Sequence, residues 1–164
     1  MNWYLALLFL HITSTIIFIG GILARQLVRS VAAKSPDVHN FAVLSQAAGR
    51  IETLMVIPGN LAVIIFGIAL ALVTGAPIFG FLQGSPQNWL LVSNILLLIG
   101  LITVPLVFAP RGRQFDLALR DALAQGQWTP QLRAAVDDKL VHRVHAAEIV
   151  LVLVIVYLMV FKPF

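Results

Sequence analysis

Four stretches of this chain, about 3–24, 53–75, 88–109 and 144–161, are almost free of charge. A helix needs roughly 20 mostly apolar residues to cross the hydrocarbon of a bilayer, and each stretch meets that length. The chain as a whole has 164 residues, 60% hydrophobic and 11% charged, with a mean hydropathy of +0.95. Soluble domains carry about 25% charged residues, so a water-soluble globule is excluded by composition. The pattern predicts an all-α fold: one integral membrane bundle of four transmembrane helices, with the lipid bilayer as its first partner. The first stretch has no basic lead and no small-x-small cleavage pattern, so it reads as a retained span and not a leader. There is no cysteine, which excludes disulfides, thiolate zinc sites and iron–sulfur clusters. No Gly-rich phosphate loop, Gly-x-Ser-x-Gly elbow or His-Glu-x-x-His pair is present, which argues against a soluble-type hydrolase.

The net charge of +4 does not point to nucleic acid, because the charges sit between the apolar blocks as topology signals do. Arg25, Arg29, Lys34 and Arg50 follow the first span; Arg111, Arg113, Arg120, Arg133, Lys139 and Arg143 follow the third. The connector after the second, GAPIFGFLQGSPQN, has no charge, and only Lys162 lies beyond the fourth. The positive-inside rule then predicts both termini on the outer side, with Trp3, Tyr4 and Trp89 as interfacial anchors.

Short helices are expected in the basic connectors between spans 1 and 2 and between spans 3 and 4. Ser35-Pro36-Asp37 reads as N-cap, N1 and N2 of a helix that runs into the second span, with Pro58-Gly59 kinking it. RQFDLALRDALAQG reads as a separate short amphipathic helix ending at Gly126, and Thr129-Pro130 restarts a helix that continues into the fourth span. These pieces either lie along the inner membrane face or serve simply as connectors.

Polar groups inside a span are costly unless paired or useful. His11, Ser14, Thr15, Gly21 and Arg25 share one face of the first helix at three- and four-residue spacing, and a small, polar face points away from lipid. His11 lies roughly 12 Å from the outer interface at the helical rise. Ser93 and Asn94, roughly 6–8 Å past Trp89, are its candidate partners from the third span, and Thr15 from its own helix. In the second span Glu52, Val56, Asn60, Ile64, Gly67 and Ala71 form another small, polar face. At the start of the fourth, His142, His145 and Glu148 are spaced by three and form a weak candidate metal set; otherwise they are a solvated or headgroup-facing edge. Glu148 falls inside the apolar block, where Arg50, Arg143 or His145 can neutralise it. His11 and His145 are not expected to clamp one haem. Their separation along the normal of a hydrocarbon slab of about 30 Å is roughly 15 Å, against about 4 Å between two axial nitrogens.

LHITSTIIFIGGILARQ, with His11 ten residues before Gly21, resembles the first helix of the HemJ-type protoporphyrinogen IX oxidases. IPGNLAVIIFGIAL, with Pro58 nine residues before Gly67, resembles their second. NWLLVSNILLL is similar to their third-helix Trp-Leu-x-x-Lys pattern, and Lys162-Pro163-Phe164 resembles their closing Lys-Pro-Phe. The lysine of that third-helix pattern falls at Ser93, the arginine after the first-helix glycine is displaced to Arg25, and the Asn-Glu-x-Pro that opens their fourth helix is replaced around His145–Glu148. Without the lysine, the pattern looks closer to a related family of uncharacterised bacterial four-span membrane proteins, a domain of unknown function. The first helix is also similar to CopD-type copper-resistance membrane domains. The resemblance implies a multi-pass protein of the bacterial plasma (inner) membrane. It implies His11 as a candidate ligand of haem b or contact of a porphyrin, with Thr15, Ser93 and Asn94 around it, and no defined reaction. Two other readings stand beside it: a structural bundle, including a homo-oligomer built on small-residue faces, and a transport or copper-handling protein. Copper(I) prefers soft sulfur ligands, and Met1, Met55 and Met159 are scattered.

Overall fold

The computed structural model describes residues 2–164 and is helical throughout, with no strand among them. Six α-helices follow in order: α1 (Trp3–Ala32), α2 (Val38–Ile51), α3 (Ile57–Thr74), α4 (Trp89–Gln125), α5 (Pro130–Val136) and α6 (Lys139–Phe161). A π-helical turn, Glu52–Val56, joins α2 to α3, and a 3-10 turn, Gly80–Gln83, precedes α4. Four helical stretches are long and apolar enough to cross a membrane: Trp3–Ala32, Val38–Thr74, Trp89–Gln125 and Pro130–Phe161. The chain divides into two compact units, Met1–Ser35 with Phe41–Ala76, and Pro36–Asn40 with Pro77–Phe164.

The first unit is built on α1 packed antiparallel to α3 and the π turn. The seam is made of glycines. A methyl group on Gly21 would stand 2.9 Å from the Met55 Cβ, one on Gly59 3.0 Å from the Phe18 backbone, and one on Gly67 3.0 Å from the His11 ring. Lipid tails give apolar helices no hydrophobic reason to associate, so close backbone approach and interhelical hydrogen bonds carry the contact. The chain does run from α2 into α3 without a gap, as the sequence predicts. The break in regularity comes one turn before Pro58, as the π turn, where a residue is accommodated by i→i+5 bonding just ahead of the residue that lacks an N–H. The extra residue turns the helix face, so that Gly59 meets α1 beside the predicted position Val56.

Three expectations about the connectors are corrected. Helix α2 begins at Val38, and its cap is Asp37, not Ser35: the Asp37 carboxylate accepts from the Asn40 N–H at 2.8 Å. RQFDLALRDALAQG is not a separate helix but the last turns of α4, which continues through Pro105 and Pro110 to Gln125. Each proline removes one backbone bond, and such breaks are tolerated in apolar membrane-crossing helices, where leaving the rest of the ladder unpaired would cost far more. The helix that starts at Pro130 does not reach the fourth span. It ends at Val136, and Asp138 starts α6 afresh by accepting from the Leu140 and Val141 N–H groups. The signals at Gly126 and Thr129 hold: Gly126 is left-handed (φ 67°) after α4, and the Thr129 hydroxyl accepts from the Leu132 N–H.

In the second unit α4 lies antiparallel to α6. Their contacts run from Trp89 with Phe164 and Lys162, through Gly100 with Leu151 and Phe108 with His145, to Arg111 with Asp138. At one end the Phe164 carbonyl accepts from the Asn88 and Trp89 N–H groups, at 2.9 and 3.0 Å, and satisfies donors that the start of a helix leaves open. The Lys162 ammonium rests 5.1 Å from the centre of the Trp89 ring. At the other end the Arg111 guanidinium donates to Asp138 at 3.0 Å.

Candidate functional site

His11 sits in the α1–α3 seam. Its Nδ1 lies 3.1 Å from the Val63 carbonyl oxygen. A carbonyl only accepts, so Nδ1 carries a proton and donates; in the neutral ring the lone pair is then on Nε2. Val63 is inside α3, so its carbonyl takes this bond on its second lone pair beside the helix's own ladder. Gly67, one turn on, leaves the space the ring occupies: a Cβ there would stand 3.0 Å from the His11 Cε1 and 3.3 Å from Nδ1. The backbone of α1 is fastened beneath the ring. The Thr15 hydroxyl donates to the His11 carbonyl at 2.8 Å, and Ser14, buried, donates to the Leu10 carbonyl at 2.7 Å.

About four turns further along the same seam, the Arg25 guanidinium donates to the Glu52 carboxylate on the π turn. Arg25 is only 4% exposed. A guanidinium this deep needs a carboxylate or an equivalent set of acceptors, because desolvation of an isolated charge costs several kcal/mol, roughly, even after relaxation. Both residues stand on the faces read from the sequence, but their pairing was not drawn from it. Two opposite charges at the same end of neighbouring spans were the signal that could have found it.

Ser93 and Asn94, proposed from spacing as neighbours of His11, belong to the second unit and bond within it. The Ser93 hydroxyl, buried, donates to the Trp89 carbonyl at 2.8 Å. The Asn94 amide donates to the Ile78 carbonyl at 3.3 Å. The acceptor that the ring does find, a backbone carbonyl, carries no side-chain signal at all. Asn60 is half-buried on α3, with its Oδ1 enclosed and accepting no hydrogen bond.

In α6 the sequence set His142, His145 and Glu148 separates. His145 is buried, stacked on Phe108 with ring centres 4.4 Å apart, and its Nδ1 lies 3.4 Å from the Glu148 carboxylate. His142 is exposed and turns away, its Nε2 3.0 Å from the Val136 carbonyl. Among the described residues no three His, Asp or Glu side chains converge as a metal ion would require. Only His145 and Glu148 of the set are brought together, as an imidazole–carboxylate pair within an apolar stretch.

The site is therefore a single imidazole held by a transmembrane helix pair, with its second nitrogen left as a base or ligand, and a buried ion pair closing the same seam. No curated protein and no solved structure matches the chain. A family model described as "Predicted integral membrane protein (DUF2269)" matches residues 5–163. That match takes in all four membrane-crossing helices, and the chain belongs to the DUF2269 family of integral membrane proteins.

Proposed function

We propose that the protein is a haem- or porphyrin-linked redox protein of the membrane, with His11 as the ligand. The observation that carries this reading is the Nδ1–H bond to the Val63 carbonyl, which fixes the tautomer and aims Nε2 as the donor nitrogen. Metal-binding histidines are held by their other ring nitrogen in this way. Gly67 supports it by giving the ring room where any side chain would crowd it. A single imidazole would be enough to hold a haem, whose porphyrin supplies the other donors, but not an ion that needs three or four protein donors. Haem held there would supply one-electron chemistry. The chain's own residues orient the ring through the Val63 carbonyl and seat it against Gly67. The same reading takes the protein to a bacterial plasma membrane, with the basic connectors inside and both termini outside.

The test is optical. Purified protein supplied with haem is expected to give a stoichiometric Soret band, and His11→Ala to lose it while keeping its helical circular dichroism. A wild-type protein that gives no Soret band after haem is supplied rejects the reading.

The same bond also favours a second reading, in which His11 is a packing clasp between α1 and α3 and the bundle serves as a scaffold. Such bonds contribute on the order of 1 kcal/mol in membranes. In that case His11→Gln, which keeps a donor, restores the thermal stability lost in His11→Ala, and neither variant changes any spectrum.

A further inference from the structure

The segment between α3 and α4 presents large apolar side chains outward. Phe79, Phe81 and Leu82 are 54%, 64% and 67% exposed. In an aqueous loop such a cluster is unfavourable, and loops normally spend their backbone polar groups on water. Here the backbone does the opposite. The N–H groups of Gly80, Leu82, Gly84 and Ser85 bond to the carbonyls of Pro77, Phe79, Phe81 and Gly80. The Phe79 N–H donates to the Gln83 side chain at 3.1 Å and the Phe81 N–H to the Asn88 side chain at 2.8 Å. The Ile78 carbonyl takes the Asn94 amide from the second turn of α4. Gly80 (φ 52°) and Gly84 (φ 74°) supply the left-handed residues that close a turn this tight.

We infer that residues 77–84 form a preorganised wedge that inserts Phe79, Phe81 and Leu82 into the lipid leaflet at the Trp89 end of α4. A non-helical segment can enter a bilayer only if its backbone groups are satisfied by protein, and this turn pairs its carbonyls from Pro77 to Phe81 and the N–H groups of Phe79 to Leu82 and of Gly84 within itself or with Asn88 and Asn94. Its occupant is lipid because the same unit turns large apolar side chains outward along the membrane-crossing helices that flank the turn: Ile95, Leu98 and Ile99 on α4 and Tyr157 and Phe161 on α6 are all exposed. The connector from Gly75 to Asn88 carries no charge to hold it in water. Aromatic side chains favour the boundary between headgroups and acyl chains, and Trp89 with Lys162 marks that boundary beside the turn. Asn94 is thereby given a role: it is the fastening residue of the wedge. The inference is independent of any haem at His11.

The chain has no native cysteine, so spin labels can be placed singly in the full-length protein in phosphatidylcholine–phosphatidylglycerol vesicles. The readout is accessibility to oxygen, which concentrates in lipid, relative to a water-soluble nickel chelate. Phe81→Cys and Leu82→Cys are compared with Leu98→Cys, on the apolar face of α4, and Gln127→Cys, on an exposed connector. The oxygen-to-nickel ratio at 81 and 82 is expected to be several-fold above that at 127 and to approach that at 98. Ratios at both positions equal to that at 127 overturn the wedge. Exclusion of both reagents, with dipolar broadening that grows with protein-to-lipid ratio, assigns the surface to a second copy and also overturns it. Adding Asn94→Leu to the Phe81→Cys protein is expected to lower the ratio as the Ile78 carbonyl loses its donor; an unchanged ratio overturns the role given to Asn94.

Discussion

The tightest constraint on the His11 ring comes from a residue with no side chain. A methyl group on Gly67 would touch both Cε1 and Nδ1, so Gly67→Ala forces the ring off the Val63 carbonyl or the helices apart. Overpacking of this kind costs about 1–3 kcal/mol, and a lowered thermal midpoint in detergent is the expected result; if haem is bound, its spectrum moves as well. Glu52→Ala acts at the other end of the seam. It takes the carboxylate from a guanidinium that is 4% exposed, and the loss is expected to be on the order of 3 kcal/mol, as for other broken buried pairs. Replacing both Arg25 and Glu52 by apolar residues is expected to cost less than Glu52→Ala alone, which a double-mutant cycle measures. At this scale the sequence was legible where spacing alone decides. His11, Ser14, Gly21 and Arg25 do share the face that meets α3. It was silent about Val63, because a main-chain oxygen looks the same at every position. It did not foresee Ile78 as the partner of Asn94, for the same reason.

Helix by helix, the glycines separate by what they face. A Cβ on Gly59 meets the main chain of Phe18 at 3.0 Å, whereas one on Gly20 meets nothing within 4 Å. Gly59→Ala is therefore expected to destabilise the α1–α3 pair, and Gly20→Ala to leave it unchanged or to add up to about 1 kcal/mol through helix propensity; unfolding midpoints of the two variants decide it. The start of α6 adds a pH dependence. Partial burial works against the charge on Asp138, but the Leu140 and Val141 N–H groups and the Arg111 guanidinium outweigh it and hold the carboxyl below its ordinary value of 3.8. A native pKa below the unfolded one stabilises the fold above the unfolded value, and the contribution fades as the pH falls through the native one. Wild-type stability is expected to decline on acidification below that ordinary value. Asp138→Asn, which keeps a cap acceptor but cannot ionise, is expected to show a flatter acid limb, while Asp138→Ala also loses the cap, about 1 kcal/mol at any pH. Caps written in side chains, at Gly126 and Thr129, were readable from sequence. The π turn was not, since nothing in the residues Glu52–Val56 distinguishes it from α-helix until Arg25 and Gly21 are opposite. The continuation of α4 through Pro105 and Pro110 was not legible either, since proline usually weakens a helix and its tolerance there depends on the apolar surroundings.

Taken whole, the chain offers two antiparallel helix pairs, α1 with α3 and α4 with α6, each locked at both ends of its seam by polar contacts. The proposed topology is open to a direct check: a thiol-reactive label that cannot cross the membrane is expected to modify Gln87→Cys in intact cells and to reach Ala33→Cys or Gln131→Cys only after permeabilisation, and the reverse pattern refutes it. The four apolar blocks made the membrane-crossing architecture legible from the start, since length and hydropathy are enough for that, while the pairing of the spans depends on small residues whose partners lie far away in the chain. The hold of Phe164 on Asn88 and Trp89 has a consequence for biogenesis. The third helix enters the membrane with its leading N–H groups open, and they stay open until the fourth helix has been synthesised and inserted. Water or lipid headgroups must serve those donors in the meantime, and the residues that follow the fourth helix close the second pair.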